Sequence, residues 1–210
     1  MTDASDRKSS PPSSDELGGM VKGASFRELI RWARSRFGED VLRKGYERLR
    51  PEDQALVEPG APAMGVVATR WYPMRLAATF SDTYLEGTSG EDRRQLIREA
   101  TRFSMDRTLK GVQRMIFQVM MTPERAARHM NKIWHLNYDS GEVRWEVVAP
   151  GHIEASIRDW PGHTTDFCTM LQEMEIYFLE LIGCENVRSA RTACVGRGDP
   201  ACTSTLTWNA

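Results

Sequence analysis

The hydrophobic spacing of this chain first changes between residues 134 and 142, and no other feature constrains the fold as tightly. Ahead of the change, apolar residues return every three or four positions: Phe26, Leu29, Ile30, Ala33 and Phe37, later Leu76, Phe80 and Tyr84, then Leu96, Ile97, Ala100 and Phe103. That period lines one face of a helix. Beyond the change, Val143, Trp145 and Val147 alternate with Glu142, Arg144 and Glu146, and Ile153, Ala155 and Ile157 repeat the alternation. A period of two belongs to a strand buried on one face. The two halves together predict an α+β fold: an N-terminal helical layer, then an antiparallel sheet of about four strands with a packed helix and a C-terminal hairpin.

Local signals place the boundaries. Ser25-Phe26-Arg27-Glu28 has the form of a capping box, which predicts a helix start with Ser25 as its cap. Gly38 stops that helix, Pro51 opens a short turn, and residues 58–65 form a loop by composition. Tyr72-Pro73 is read as the restart of helix, and Leu109, Val112, Ile116, Val119 and Met120 as an apolar stripe. Thr122-Pro123 caps the next helix, to about residue 134. In the sheet half, residues 164–181 read as a helix ended by Gly183. Residues 187–194 and 202–208 read as strands joined by Gly196-Arg197-Gly198-Asp199-Pro200. Residues 1–20, rich in Ser, Pro and Asp, are expected to be a disordered tail; residues 21–210 then form a single domain, mainly helical over 21–134.

Charge and composition remove some function classes. A net charge of -1 argues against a general polyanion binder. From residue 22 to 50 there are nine Lys or Arg against four Asp or Glu, and this excess is read as the solvated face of surface helices. Nucleic acid is therefore not an expected partner. No run of 18 apolar residues exists, so no membrane span is expected. The N-terminus lacks the apolar core of a secretory signal, and the expected compartment is the cytoplasm.

All four cysteines, Cys168, Cys184, Cys194 and Cys202, lie in the last fifth of the chain. A helix from Cys168 to Cys184 advances roughly 24 Å, and a strand returning to Cys194 covers roughly 33 Å before twist shortens it. If the two run antiparallel, Cys168 and Cys194 meet at one end; Cys202 joins them across the hairpin, and Cys184 is left at the other. Three thiolates there could bind zinc, with His163 or Asp166 as a fourth ligand. Buried thiols that merely pack are the alternative.

The run Leu181-Ile182-Gly183, Val187, Cys194, Gly198-Asp199-Pro200, Cys202 and Trp208 resembles the C-terminal signature of the 4-vinyl reductase-type domain, a small-molecule-binding module related to haem nitric-oxide-binding and Golgi-trafficking folds. The signature covers about fifty residues of the 210. The whole chain, through Val21-Lys22-Gly23, Trp71-Tyr72-Pro73 and Thr122-Pro123-Glu124, is similar to a myxobacterial paralogous family. The resemblance implies a zinc site of three cysteines and one glutamate three residues before the middle cysteine. Here that position holds Arg191, which stays protonated and cannot ligate, so a substitute such as Asp166 would be required.

Other candidates are weaker. His129, His135, His152 and His163 are scattered, and there is no Cys-x-x-Cys-His haem attachment, so haem is not expected. Cys168, His163 and Asp166 could form a nucleophile, base and orienter, but nothing else marks an oxyanion site, and no enzyme is expected. Met105, Met115, Met120, Met121 and Met130 are consistent with core or with an adaptable pocket wall. The favoured reading is a non-enzymatic small-molecule or signal sensor with an apolar pocket between helices and sheet, and a homodimer is plausible by resemblance. The alternative is a protein-interaction scaffold with a filled core.

Overall fold

Two layers meet along one long helix of the sheet half. The computed structural model describes residues 16–108 and 111–209, with the side chains of residues 111–113, 116 and 117 outside that description. The helical half runs through α1 (Gly23–Phe37), α2 (Glu39–Glu47), α3 (Pro51–Gln54), α4 (Met74–Leu85), α5 (Gly90–Thr108), α6 (Gly111–Met120) and α7 (Pro123–Trp134). Two short strands, β1 (Met20–Lys22) and β2 (Trp71–Pro73), pair antiparallel at its edge. The sheet half comprises β3 (Glu142–Ala149), β4 (His152–Arg158), α8 (Thr165–Leu181), β5 (Glu185–Ala193) and β6 (Cys202–Asn209). Its strands lie in the order β3-β4-β6-β5, all antiparallel. The α+β architecture, the four-stranded antiparallel sheet and the terminal hairpin are those the periodicity predicts.

The core follows the pattern that signals it. Val143, Trp145, Ile153, Ala155, Ile157 and Leu206 are buried on one sheet face, while Glu142, Arg144 and Glu154 are exposed. Helix α8 packs on β5 and β6 with one side and on α5 with the other. The α5–α8 contact is charged as well as apolar. Arg93 binds both carboxylate oxygens of Asp166 at 2.8 and 2.5 Å, Arg94 and Arg98 clasp Glu173 at 3.1 and 3.0 Å, and Arg102 reaches Glu180 at 2.7 Å. Glu173 has a side chain only 2% exposed, so two guanidinium partners are what make its burial tolerable.

Several local expectations are corrected. Ser25 does not cap α1: the helix starts at Gly23, where the N–H groups of Gly23 and Ala24 donate to the backbone carbonyls of Arg70 and Ala68, so Ser25 already lies inside the first turn. Its hydroxyl donates instead to Asn137 Oδ1 at 2.9 Å. Tyr72-Pro73 both ends a strand, since Val21 pairs with Tyr72, and leads straight into α4, whose N-cap is Pro73. Of residues 1–20, expected to be a disordered tail, Leu17 is buried and Met20 pairs with Pro73, so the end of that span is part of the fold; residues 1–15 lie outside the described residues. In the apolar stripe, Leu109 lies outside the described residues, and Val119 and Met120 are exposed: α7, not α6, packs against β3. Arginines of the basic stretch are held in ion pairs, Arg31 with Glu28, Arg34 with Glu39, Arg43 with Asp40 and Arg48 with Glu86. No described helix is long and apolar enough to cross a membrane.

Candidate functional site

A corner of thiols forms at the N-terminal end of α8. The Thr164 hydroxyl caps the helix, accepting from Phe167 N–H at 3.1 Å, and this fixes Cys168 in the first turn facing the sheet. Cys202 lies opposite Ile157 on the buried face of β6. Cys194 ends β5, its N–H donating to the Asp199 carboxylate at 2.7 Å, which closes the hairpin turn. The three sulfurs converge: Cys168 Sγ to Cys202 Sγ is 3.5 Å, and Cys202 Sγ to Cys194 Sγ is 3.7 Å. His163 completes the group, with Nδ1 3.6 Å from Cys168 Sγ and 3.4 Å from Cys202 Sγ. Cys184, half-buried, packs against the main core instead.

Asp166, the other proposed fourth ligand, does not reach the corner. Both its oxygens are taken by Arg93 across the α5–α8 contact, and that also removes it as an orienting carboxylate for His163. Arg191 does not enter the thiol group either. Its guanidinium donates to the Cys168 carbonyl and, at 2.8 Å, to Gln172 Oε1, so it ties β5 to the first turn of α8. The corner has a definite electrostatic polarity. Hydrogen bonding from Cys168, then from the His163 ring and Val195 N–H, lowers the Cys202 thiol pKa, while sharing that proton with Cys202 and burial push Cys168 up.

A second site lies along the other face of the same helix. A cavity of about 630 Å³ opens between α1, α4, α5, α7, α8 and the sheet residues Val143, Trp145 and Ile157. Its walls are largely apolar, with Met74, Met105, Met130, Met170 and Met174 among the aliphatic and aromatic side chains. Met105 and Met130 of the predicted methionine group line it, whereas Met115 and Met120 are exposed on α6. Glu175 faces the cavity and accepts a hydrogen bond from Ser204 Oγ at 2.8 Å. Burial pushes its carboxyl up to about 7 despite that hydrogen bond and the nearby Arg191. No sequence period singled out Glu175, because it sits among α8 residues that read as plain core.

Solved structures similar to this fold include H-NOX proteins. An H-NOX protein from S. oneidensis in the Fe(II)NO ligation state superposes with a TM-score of 0.65 at 10% identity, covering 90% of this chain and 99% of that one. The Fe(II) unliganded H-NOX protein from K. algicida gives 0.63 at 8% identity, over 90% and 97%. An oxygen-binding H-NOX domain related to soluble guanylate cyclases, in its oxygen complex, gives 0.61 at 14%, over 90% and 95%. No protein-family model and no curated protein matches the chain. The chain therefore has the haem-nitric-oxide-binding-type fold.

These neighbours correct the cofactor expectation, which named zinc as a possible cofactor and set haem aside. Their iron states, and the haem distortion studied in another of them, make haem the cofactor to which the fold points. The residues of this chain fit a histidine-held haem poorly. None of the four histidines lines the cavity: His129 and His135 are exposed, His152 sits on β4 and His163 belongs to the thiol corner. The remaining iron donors on the walls are thioethers, the carboxyl groups of Asp82, Asp166 and Glu175, and the phenols of Tyr84 and Tyr138, both phenols raised in pKa by burial and so held neutral.

Proposed function

We propose that this chain is a non-enzymatic small-molecule-sensing domain whose ligand occupies the cavity between the helices and the sheet. The observation that carries the reading is the cavity itself. Its 630 Å³ is within the usual range for ligand sites, and apolar walls with few polar groups are the usual construction of such sites. The likeness to the 4-vinyl reductase-type signature and the fold shared with haem-iron domains both support a ligand at this place. The scaffold alternative requires a filled interior, and the cavity speaks against it. Free thiols, including three buried together, support a reducing compartment such as the cytoplasm. A homodimer remains a proposal, checked by light scattering on the purified protein.

The test is native mass spectrometry of purified protein, followed by thermal unfolding with hemin and with a set of apolar compounds. A co-purifying small molecule, or a clear rise in Tm with one compound, is expected. Protein that carries nothing and gains no stability from any of them would remove the reading. A Soret band on adding hemin, surviving gel filtration, identifies haem as the occupant.

A second reading is carried by the thiol corner. Cys168, Cys194, Cys202 and His163 are proposed to hold a thiophilic metal ion. Tetrahedral bonds of ~2.0–2.3 Å bring donors to roughly 3.5–3.8 Å from one another. The three separations among Cys168, Cys202 and His163 are 3.4 to 3.6 Å, while Cys194 is 3.7 Å from Cys202 but outside the group whose donors all lie within 4.8 Å of one another, so its side chain must turn inward to complete the set. Elemental analysis of protein made without a metal-affinity tag is expected to find about one equivalent of metal per chain. Cys202→Ser is expected to lose it and Cys184→Ser to keep it. Less than a tenth of an equivalent in the unaltered protein would leave four packed side chains and no site.

A further inference from the structure

We infer that the cavity selects apolar molecules that carry an amine, and discriminates against carboxylates. The inference rests on the ligand-cavity reading above and goes on to the chemistry of the occupant. Three charged side chains stand on the described walls, Asp82, Asp166 and Glu175, and all are acidic; Lys, Arg and His are absent from those walls. Asp166 is already matched by Arg93, which approaches from α5 and is not part of the lining. Glu175 is different. Its hydrogen-bond donor is the neutral Ser204 hydroxyl, and the nearby Arg191 acts on it through charge alone, its Nη2 donating to the Cys168 carbonyl and Gln172.

The surroundings of Glu175 suit a cation. On α8, Leu171, Met174, Glu175 and Phe178 fall at helical spacing on the face that lines the cavity. Phe178 meets Trp145 edge-on, with ring centroids 5.7 Å apart, so an aromatic pair stands one turn from the carboxylate. Aromatic faces attract ammonium groups through the ring quadrupole, more strongly where water is excluded. A carboxylate beside such a pair offers an amine both a hydrogen-bond acceptor and a counter-charge. A ligand carboxylate in the same place meets like charge in a weakly screened interior and finds no described basic wall residue to offset it. Apolar bulk fills the rest of the space, against the methionines.

The test uses three probes of one size: naphthylmethylamine, naphthylmethanol and naphthoate. Each is titrated calorimetrically into the full chain at pH 8, above the Glu175 titration. The amine is expected to bind at least tenfold more tightly than naphthoate, with the alcohol between them. Glu175→Gln is expected to weaken the amine at least fivefold and to leave the alcohol within twofold. Naphthoate binding as tightly as the amine would overturn the inference without any variant. So would an unchanged ratio of amine to alcohol in a folded Glu175→Gln protein. If none of the three probes binds, the inference fails, and the ligand-cavity reading fails with it only when hemin and the other apolar compounds also leave the Tm unchanged; that result is distinct from a loss of charge selection alone.

Discussion

At the scale of single residues, Glu175 is where burial and function pull against each other. Its carboxyl titrates near 7 rather than at its ordinary 4.5, chiefly because the helix–sheet interior desolvates the anion. An acid with a folded-state pKa above its unfolded one keeps its proton on folding. The folded state then binds more protons than the unfolded state between about 4.5 and about 7, and stability falls as pH rises through that window. The loss attributable to Glu175 is on the order of 3 kcal/mol at most, less where water in the cavity solvates the anion. Denaturant unfolding from pH 4.5 to 8 should show a decline that Glu175→Gln removes. A wild-type curve parallel to that of the variant would mean the carboxylate is well solvated. Residues of this kind are hard to read from sequence. The thiol corner could be anticipated because helix and strand lengths decide where Cys168, Cys194 and Cys202 end. The choice between His163 and Asp166 could not, because it depends on Arg93, more than 70 positions away.

At the scale of elements, close backbone packing sets the start of α1. A Cβ added to Gly23 would lie 2.1 Å from the Val67 carbonyl oxygen and 2.9 Å from the Tyr72 ring. The carbonyl belongs to the same loop whose next residues satisfy the first N–H groups of α1, so it cannot move away without releasing them. Gly23→Ala is expected to destabilise the protein by about 2 kcal/mol or more, whereas Thr164→Ala, which removes the α8 cap, should cost about 1 kcal/mol. Chemical denaturation of both variants ranks them, and a neutral Gly23→Ala would show that the loop yields. The legible elements share a property: α7, α8, β3 and β4 are each long enough for a period to declare itself, and Thr122 and Thr164 act as caps by the local rule. The short strands β1 and β2 span three residues each, too few for any alternation, and they form only because each meets the other. The Ser25 signal fails for a related reason, since carbonyls of a loop more than 40 positions away hold the Gly23 and Ala24 N–H groups and start the helix before Ser25.

At the scale of the whole molecule, the cavity is the feature most in need of a use. About 630 Å³ of largely apolar space between helices and sheet forgoes the packing contacts an interior normally makes, and in the working state it holds a ligand or water. Filling part of that space with protein atoms should stabilise the fold. Ala100 is 4% exposed and lines the cavity from α5, opposite α8. Ala100→Leu adds three carbons there, each worth up to about 0.8 kcal/mol when buried, and the void has room for them. The variant is expected to gain about 1–2 kcal/mol, a rise of roughly 2–8 °C in Tm, while binding naphthylmethanol at least fivefold more weakly. Stability and ligand affinity moving in opposite directions are the signature of a site kept open for use. A variant that is less stable yet binds the alcohol as before would mean that residue 100 faces packed core, and that the ligand sits elsewhere in the molecule.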